Sequence, residues 1–169
     1  MRDAFGGAFM IRLLLVFIII YVGFTAIALN YAKAFKVKNK VIEYLEENEI
    51  INIKTMPAKE YDRMQEYFET EILGNMNYKI NIGCGLPTNY NKNEVKMELQ
   101  HCENGIKIVK IEPYDDSKKN KNGHYYAVYT AFGWSIPFIN SLLHLNGEDS
   151  DIIVGQWEIN GETRTIVNE

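Results

Sequence analysis

The feature that most constrains this chain is an uncharged apolar stretch near its N-terminus, residues 13–29. Twelve of these seventeen residues are Leu, Ile, Val or Phe, and together they favour insertion into a bilayer by about 4 to 7 kcal/mol. Counted from Ala8, the stretch forms a helix about 33 Å long, which is enough to cross the hydrocarbon core. Only Arg12 interrupts it, near an end from which its side chain can reach the headgroups. The sequence therefore predicts one transmembrane helix.

A cleaved secretory signal is the alternative interpretation of this stretch. Such signals have a shorter apolar region, followed by a cleavage site between small residues. Here the apolar run is longer, and residues 30–35 after it continue a helical pattern. We therefore expect the helix to be retained in the membrane.

The helix is expected to continue beyond the bilayer, because no Gly or Pro lies between Phe24 and Thr55. We predict a single helix over residues 8–48, about 60 Å long. Apolar residues recur at helical spacing along its second half; they are Tyr31, Ala34, Phe35, Val41, Ile42 and Leu45. This stripe needs a partner, which is either the chain's own domain or a neighbouring subunit.

Two features of this helix predict lateral association with other copies. Large side chains on its second half can be buried against a neighbouring helix: Tyr31, Phe35, Ile42 and Leu45. Small residues let helix backbones approach closely in lipid; those present are Gly23, Ala26, Ala28 and Ala32.

Residues 49–169 are enough for one globular domain with its own core. Thr55 is a candidate N-cap for a second helix, Pro57 suits its first turn, and helical spacing continues to Gly74. Apolar and polar residues then alternate, which is typical of strands; the predicted strands cover 78–82, 95–99, 106–111, 124–132, 152–159 and 163–167. Helices followed by strands predict an α+β fold with a mostly antiparallel sheet of five or six strands.

Two Asn-Gly pairs mark candidate hairpin turns, since both central residues of a type I′ turn need positive φ. Asn104 and Gly105 separate two predicted strands, and Asn160 and Gly161 are expected to form a closing hairpin. Residues 138–145 are expected to be a short helix or an irregular apolar cover.

The chain thus divides into a short polar segment (1–7), the long helix (8–48) and a domain (49–169). Its net charge of −4 is unevenly divided: residues 1–48 hold six Lys or Arg against four Asp or Glu, and residues 49–169 hold twelve against eighteen. An acidic domain repels phosphate backbones, so we expect no nucleic-acid partner.

The side of the membrane on which the domain lies depends on two opposing signals. Arg2 and Arg12 precede the span, whereas four lysines follow it (Lys33, Lys36, Lys38 and Lys40), which by the positive-inside rule favours a cytoplasmic domain. Against this, a tail of seven residues costs little to leave inside, and a disulfide would be useful only outside. We expect an exterior domain at the cell membrane.

Cys84 and Cys102 are the only cysteines. A disulfide between them would close a loop of about 19 residues and stabilise the fold by roughly 3 kcal/mol in the chain-entropy model. The alternative is two free thiols. A zinc site is not expected, since there is no Cys-x-x-Cys and the histidines are isolated.

A search for catalytic motifs yields nothing that predicts an enzyme or a cofactor. His101, His124 and His144 form no metal-binding pattern, and no Gly-x-Ser-x-Gly surrounds a serine. Calcium could be considered only at two acidic clusters, one formed by Asp115 and Asp116 and the other by Glu148, Asp149 and Asp151. Such clusters are more often solvated turns.

The N-terminus carries a family resemblance. A short polar segment, Met1-Arg2-Asp3-Ala4-Phe5-Gly6-Gly7, leads into Ala8-Phe9-Met10-Ile11 and the long helix. This resembles the type IV pilin superfamily, and most closely the pseudopilins of bacterial tight-adherence pilus systems. The resemblance implies a long helix bearing a small antiparallel-sheet head. It also implies cleavage by a prepilin peptidase after Gly7.

One position departs from the family pattern. Many pilins carry Glu at the fifth position of the mature chain, where it interacts with a neighbour's terminal amine. After cleavage at Gly7 that position is Arg12, and a cation cannot neutralise an amine.

We therefore expect a structural protein, a minor pilin or pseudopilin that assembles through its helix into a surface filament or a related secretion assembly. The alternative is a membrane-tethered binding module. Exposed aromatic residues would then form its surface: Tyr125, Tyr129, Trp134 and Trp157. A membrane-anchored enzyme is the third interpretation.

Overall fold

The computed structural model describes residues 2–78, 80, 82–88, 90, 95–113, 123–135 and 153–167. The chain divides into two compact units, one of residues 1–32 and 133–156, the other of residues 33–132 and 157–169. The helices are α1 (Arg2–Glu47), α2 (Ala58–Tyr67) and a π-helical segment (Phe68–Gly74); the strands are β1 (Val95–Glu103), β2 (Ile106–Pro113), β3 (Gly123–Ser135), β4 (Ile153–Glu162) and β5 (Ile166–Val167).

The predicted α+β class is confirmed. Strands β1 to β4 form an antiparallel sheet in the order β1-β2-β3-β4, and the two-residue β5 pairs with the start of β3. A sheet of five or six full strands is not confirmed, since four strands make up its main path.

Helix α1 is continuous, as the absence of Gly and Pro after Phe24 predicts, and it begins before Ala8, at Arg2. In the first unit its large apolar side chains from Phe9 to Phe24 are all exposed, from 48% at Ile18 to 72% at Phe17. Among the described residues it is the one helix long and apolar enough to cross a membrane. Near the end of this part, the Asn30 side-chain amide donates to the carbonyl of Gly133 at 3.1 Å.

In the second unit, α1 supplies one side of the main core. Its buried residues lie at helical spacing: Ala34, Val37, Val41 and Leu45. They belong to one apolar cluster with Met64, Phe68, Ile72, Ile106, Ile108, Tyr126 and Val128. The hydroxyl of Thr130 also donates to the carbonyl of Ala34 at 3.0 Å, which joins β3 to the helix.

A smaller apolar cluster covers the opposite face of the sheet. Its buried residues are Val109, Ile111, Ala127 and Tyr129. Strand β2 is therefore buried on both faces from Ile106 to Ile111, including Lys107 and Lys110. This explains why its sequence is apolar without strict alternation.

The predicted hairpin at Asn104 and Gly105 is confirmed. These residues have φ of 52° and 79°, which is what a type I′ turn requires. Gly105 is also closely packed, because a Cβ there would overlap the Ile80 carbonyl and approach the Tyr78 ring to 2.8 Å.

The predicted strand over 78–82 is wrong at the residues that are described there. Tyr78, Ile80 and Ile82 have no strand pairing, and Asn77 before them has a positive φ of 46°. Tyr78 is instead held by its side chain: its hydroxyl donates to the carbonyl of Ala131 and accepts from the Ala131 N–H. Burial raises the pKa of Tyr78 to about 12.

The predicted closing hairpin at Asn160 and Gly161 is also wrong. Strand β4 runs through both residues to Glu162, and β5 pairs with β3 instead of β4. Between them Thr163 stays attached to β3, since its N–H donates to the Tyr126 carbonyl and its hydroxyl accepts from the Tyr126 N–H, each at 2.9 Å. Gly161 serves close packing, because a Cβ there would lie 2.9 Å from side chains of Lys38 and Ile42.

The second helix lies where it was predicted, with a different start. Pro57 and not Thr55 precedes its first turn, and no side chain caps it. The Pro57 carbonyl accepts from the N–H groups of Glu60 and Tyr61. The segment 138–145 lies outside the described residues.

Replacing Gly105 with alanine is expected to lower the free energy of unfolding by about 2 kcal/mol or more, because a left-handed backbone and an overpacked contact each add a cost. Denaturant unfolding of the full chain in detergent micelles, followed by fluorescence, measures this. Gly85→Ala is the matched control, since a Cβ at Gly85 meets open space. Equal effects of the two substitutions would contradict the turn geometry.

Candidate functional site

The residues predicted to mediate helix association are placed differently along α1. In its apolar part Arg12, Ala28 and Ala32 are exposed, whereas Gly23 is half-buried. Gly7, the candidate cleavage position, is exposed, and a Cβ built there would meet nothing within 4 Å.

The apolar stripe on the second half of α1 is divided between two environments. Leu45 is fully buried and Ile42 is partly buried, both against the chain's own core. Of the two partners left open for this stripe, the chain's own domain therefore covers Leu45 and Ile42. Tyr31 and Phe35 remain 46% and 40% exposed, and the Lys38 ammonium lies 4.2 Å from the centre of the Phe35 ring.

The side of α1 turned away from this core carries charges that are segregated by sign. At 100° per residue the charged face falls within a sector of about 80°; its members are Lys33, Lys36, Lys40, Glu43 and Glu47. All are exposed except Lys40, which is half-buried. Within the part of the chain that the structure describes, none of them lies within 4 Å of an opposite charge in the ion pairs present.

A pocket lies on the sheet face opposite the helices. Cys84 and Cys102 form a disulfide with their Cα atoms 5.7 Å apart, which attaches the loop after Gly83 to the end of β1. The pocket has a volume of about 480 Å³ and is lined by Gly83, Gly85, Leu86, Pro87, Thr88, Lys107, Tyr129, Glu158 and Asn160.

The wall of this pocket holds a buried cation. The Lys107 side chain is 4% exposed, and its ammonium lies 3.1 and 3.2 Å from the two carboxylate oxygens of Glu158. It also lies 4.7 Å from the centre of the Tyr129 ring. Such a charge is tolerated because both groups compensate its desolvation. Glu158 itself is 43% exposed, so it can turn towards solvent.

A second polar contact borders the same sheet face. The Tyr90 hydroxyl donates to a carboxylate oxygen of Glu162 at 2.6 Å. Burial, followed by this bond to a carboxylate, raises the pKa of Tyr90, and burial also raises the pKa of Tyr129.

The two described histidines, His101 and His124, take structural positions. His124 is 1% exposed and packs edge-on against Tyr126, with ring centres 5.4 Å apart. Burial, and then the charge of Lys110, lower the pKa of His124. His101 packs against Phe68 at 6.0 Å, and burial lowers its pKa as well.

The other candidates contribute no site. His144 and both acidic clusters lie outside the described residues, and the described residues contain no group of three His, Cys, Asp or Glu able to hold a metal. Among the aromatics, Tyr129 is buried and Tyr125 is partly buried in the smaller cluster, whereas Trp157 is 48% exposed and stacks on Phe132. The side chain of Trp134 is outside the described part.

Comparison with protein-family models, with curated proteins and with solved structures finds no match for this chain. The protein is therefore classified by its own fold and site. That class is a disulfide-bonded α+β domain on a helix that can span a membrane.

The pocket was not predicted from the sequence. The two lysines inside the apolar run of residues 106–111 were a signal, since a strand preceded by an Asn-Gly turn and rich in Ile and Val is buried. Helical spacing places five charged residues on faces of α1 other than the apolar stripe: Lys33, Lys36, Lys40, Glu43 and Glu47. The structure shows that all of them are exposed except Lys40, which is half-buried.

The free energy of unfolding is expected to fall as the pH is lowered from 7.5 to 5.5. Both buried histidines have pKa values below the unfolded value of about 6.5, so below that pH the unfolded chain binds protons that the folded chain does not. Their contribution is complete above pH 6.5 and is lost as the pH falls towards the folded pKa. Denaturant titrations across this range measure it.

His124→Gln is expected to flatten that dependence, and His101→Gln serves as its matched comparison. The lowered pKa of Glu112, held by hydrogen bonding to Lys110, affects stability only below about pH 4.5 and lies outside the window. An unchanged pH dependence in both variants would show that the two buried histidines do not cause the loss of stability at low pH.

Proposed function

We propose that this protein is a pilin-like structural subunit that assembles laterally through α1 into a surface filament or a related secretion assembly. The observation that carries the proposal is the division of α1. Its first part exposes a continuous apolar surface, while its second part contributes to the core of a small antiparallel-sheet head. Such a helix can lie in a bilayer before assembly and between other helices afterwards.

The exposed apolar surface supports this proposal on energetic grounds. Large side chains from Phe9 to Phe24 cannot remain in water, since soluble monomers rarely expose continuous apolar surface on this scale. Lipid satisfies them, and so do the apolar helices of other copies. In lipid, close packing drives helix association, and Gly23 offers room for it.

The proposal includes cleavage after Gly7 and an exterior head. Gly7 is exposed on the helix, with no side chain near the position of a Cβ. The disulfide between Cys84 and Cys102 supports an oxidising exterior, since the cytosol keeps thiols reduced.

Photo-crosslinking in cells tests the assembly. A photoreactive phenylalanine analogue at Phe17, which is 72% exposed on the helix, is expected to give crosslinks between copies of the chain. The same analogue at Leu86, which is 47% exposed on the head, is the comparison position. Intact mass of the purified protein is expected to lack residues 1–7.

Crosslinks to lipid alone at Phe17, together with an uncut chain, would overturn the proposal. The helix would then be only an anchor.

The second candidate function is a membrane-tethered binding module, and the pocket at Lys107 favours it. We infer that a ligand carboxylate could replace that of Glu158 beside Lys107, because Glu158 is partly exposed while Lys107 is buried in the wall. Burial of one charge and exposure of its partner distinguish this pair from the surface ion pair of Lys54 and Glu98.

Calorimetry with a short peptide bearing a free C-terminal carboxylate tests this alternative, with the amidated peptide as its control. Glu158→Gln is expected to strengthen binding, because Lys107 loses its competing partner, and Lys107→Met to abolish it. If the pair of Lys107 and Glu158 is purely structural, Glu158→Gln only destabilises the fold, since it leaves a buried cation unpaired. Absence of heat from both the unaltered chain and Glu158→Gln would leave the pocket without this role.

A further inference from the structure

Two large aromatic side chains of the second unit are partly exposed to solvent. Trp157 on β4 is 48% exposed and stacks on Phe132, with ring centres 5.5 Å apart. Phe35 on α1 is 40% exposed. Aromatic side chains, and tryptophan above all, are enriched at membrane surfaces, where the ring is buried and its polar edge stays wet. The position of Trp157 along α1 therefore decides whether a bilayer reaches it.

Two contacts give the direction of β4 along α1. A Cβ at Gly161 would lie 2.9 Å from side chains of Lys38 and Ile42. Three residues later, the Arg164 N–H donates to the carboxylate of Glu46 at 2.8 Å. The chain after Gly161 thus runs towards the C-terminal end of α1, and the residues of β4 before it lie towards the opposite end.

Trp157 lies near the level of Lys33, where the part of α1 in the second unit begins. It precedes Gly161 by four residues, which is about 13 Å of strand and equals about nine residues of helix. Strand β3 agrees with this placement. Thr130 donates to the carbonyl of Ala34, and the residue on which Trp157 stacks follows Thr130 by only two positions.

This level coincides with the headgroup layer of a bilayer that contains the apolar stretch. Lys33 lies four residues after Leu29, about 6 Å along a helix, and headgroups extend about 5 to 8 Å beyond the hydrocarbon on each side. Lys33 and Lys36 are exposed, and no acidic residue lies between Leu29 and Glu43. A headgroup layer surrounds the helix at this depth, so residues on different sides of α1 reach the same layer.

We propose that this end of the head binds anionic lipid: Trp157 enters the headgroup layer, while Lys33 and Lys36 contact lipid phosphates. Two observations make lipid the expected occupant. The first is continuity with the apolar stretch, and the second is a band of cations with no anion among them, which an anionic leaflet attracts. The proposal goes beyond the proposed function and does not rest on assembly. It requires only that α1 spans a bilayer.

Photo-crosslinking to lipid tests the proposal in the full chain. Vesicles of phosphatidylcholine with a minority of phosphatidylglycerol are used, at a dilution that leaves most vesicles with a single chain. A photoreactive phenylalanine analogue at Trp157 is expected to give lipid adducts, which are identified by mass. The same analogue at Ile51, which is 52% exposed, is the matched comparison. Ile51 follows the end of α1, more than about 21 Å beyond Lys33, and is expected to give none.

The lipid species in the adducts tests the two lysines. Phosphatidylglycerol is expected to exceed its share of the bilayer at least about twofold among adducts at Trp157, because cations at headgroup depth concentrate anionic lipid. K33Q/K36Q is expected to return it to that share. Lys59→Gln, which removes an exposed charge on α2, is the control and is expected to leave the enrichment unchanged.

Tryptophan fluorescence gives a second measurement that needs no analogue. Brominated phosphatidylcholine is expected to quench the fluorescence of the unaltered chain, and a quenched component is expected to be lost in Trp157→Phe. This substitution keeps an aromatic ring for the stack on Phe132.

Three results would overturn the proposal. The first is absence of lipid adducts at Trp157 together with no quenched component lost in Trp157→Phe. The second is an equal yield of adducts at Trp157 and Ile51. The third is unchanged phosphatidylglycerol enrichment in K33Q/K36Q, since the surface would then not select anionic lipid. Each of these leaves the assembly of copies standing, whereas absence of Phe17 crosslinks between copies removes the assembly and leaves the lipid contact standing.

Discussion

The structure depends on the burial of one side of the second half of α1. Val37, Val41 and Leu45 are completely buried in the main core, and each contributes about 1.5 to 3 kcal/mol relative to exposure. The carbonyl of Ala34 also receives the Thr130 hydroxyl. The helix therefore cannot leave the sheet without opening the core, and its charged face is fixed on the outside by the same packing. The second half of the helix is thus part of the head's own core. A head joined to its membrane helix by a flexible linker would not have its helix orientation fixed in this way.

Strand β2 organises the rest, because it is central in the sheet and buried on both faces. Its side towards the helices contributes Ile106 and Ile108 to the main core, and its other side contributes Val109 and Lys107 to the face that bears the pocket. A buried lysine in such a strand requires a nearby carboxylate, which Lys110 has in Glu112 of the same strand at 3.0 Å. Lys107 obtains it from Glu158 on β4, which ties the position of the edge strand to the strand at the centre.

The sequence predicted structure correctly where neighbouring residues alone determine the backbone conformation. It failed where contacts between distant parts of the chain determine it. The Asn104-Gly105 turn was predicted because two adjacent positive φ angles have few other solutions. The same dipeptide at Asn160-Gly161 did not form the predicted turn, since β4 continues through it and Gly161 packs closely against Lys38 and Ile42, more than a hundred residues earlier. Tyr78 misled for a similar reason, because its hydroxyl bonds to Ala131 in place of a strand ladder. The pocket depends on strand order and on the loop held by the disulfide, and neither is a property of any single segment.

Packing of α1 against other helices depends on the uncharged apolar segment as well as on the charges that follow it. In a chain cut after Gly7, the new terminal amine and Arg12 are both cationic, so the apolar segment has no anion of its own to attract a neighbour. Residues 13–29 carry no charge at all. The association of copies proposed above then relies on packing inside the bilayer and on charges beyond it. The first charges after the apolar stretch are the lysines that begin at Lys33, and Glu43 and Glu47 follow them on the exposed side of α1.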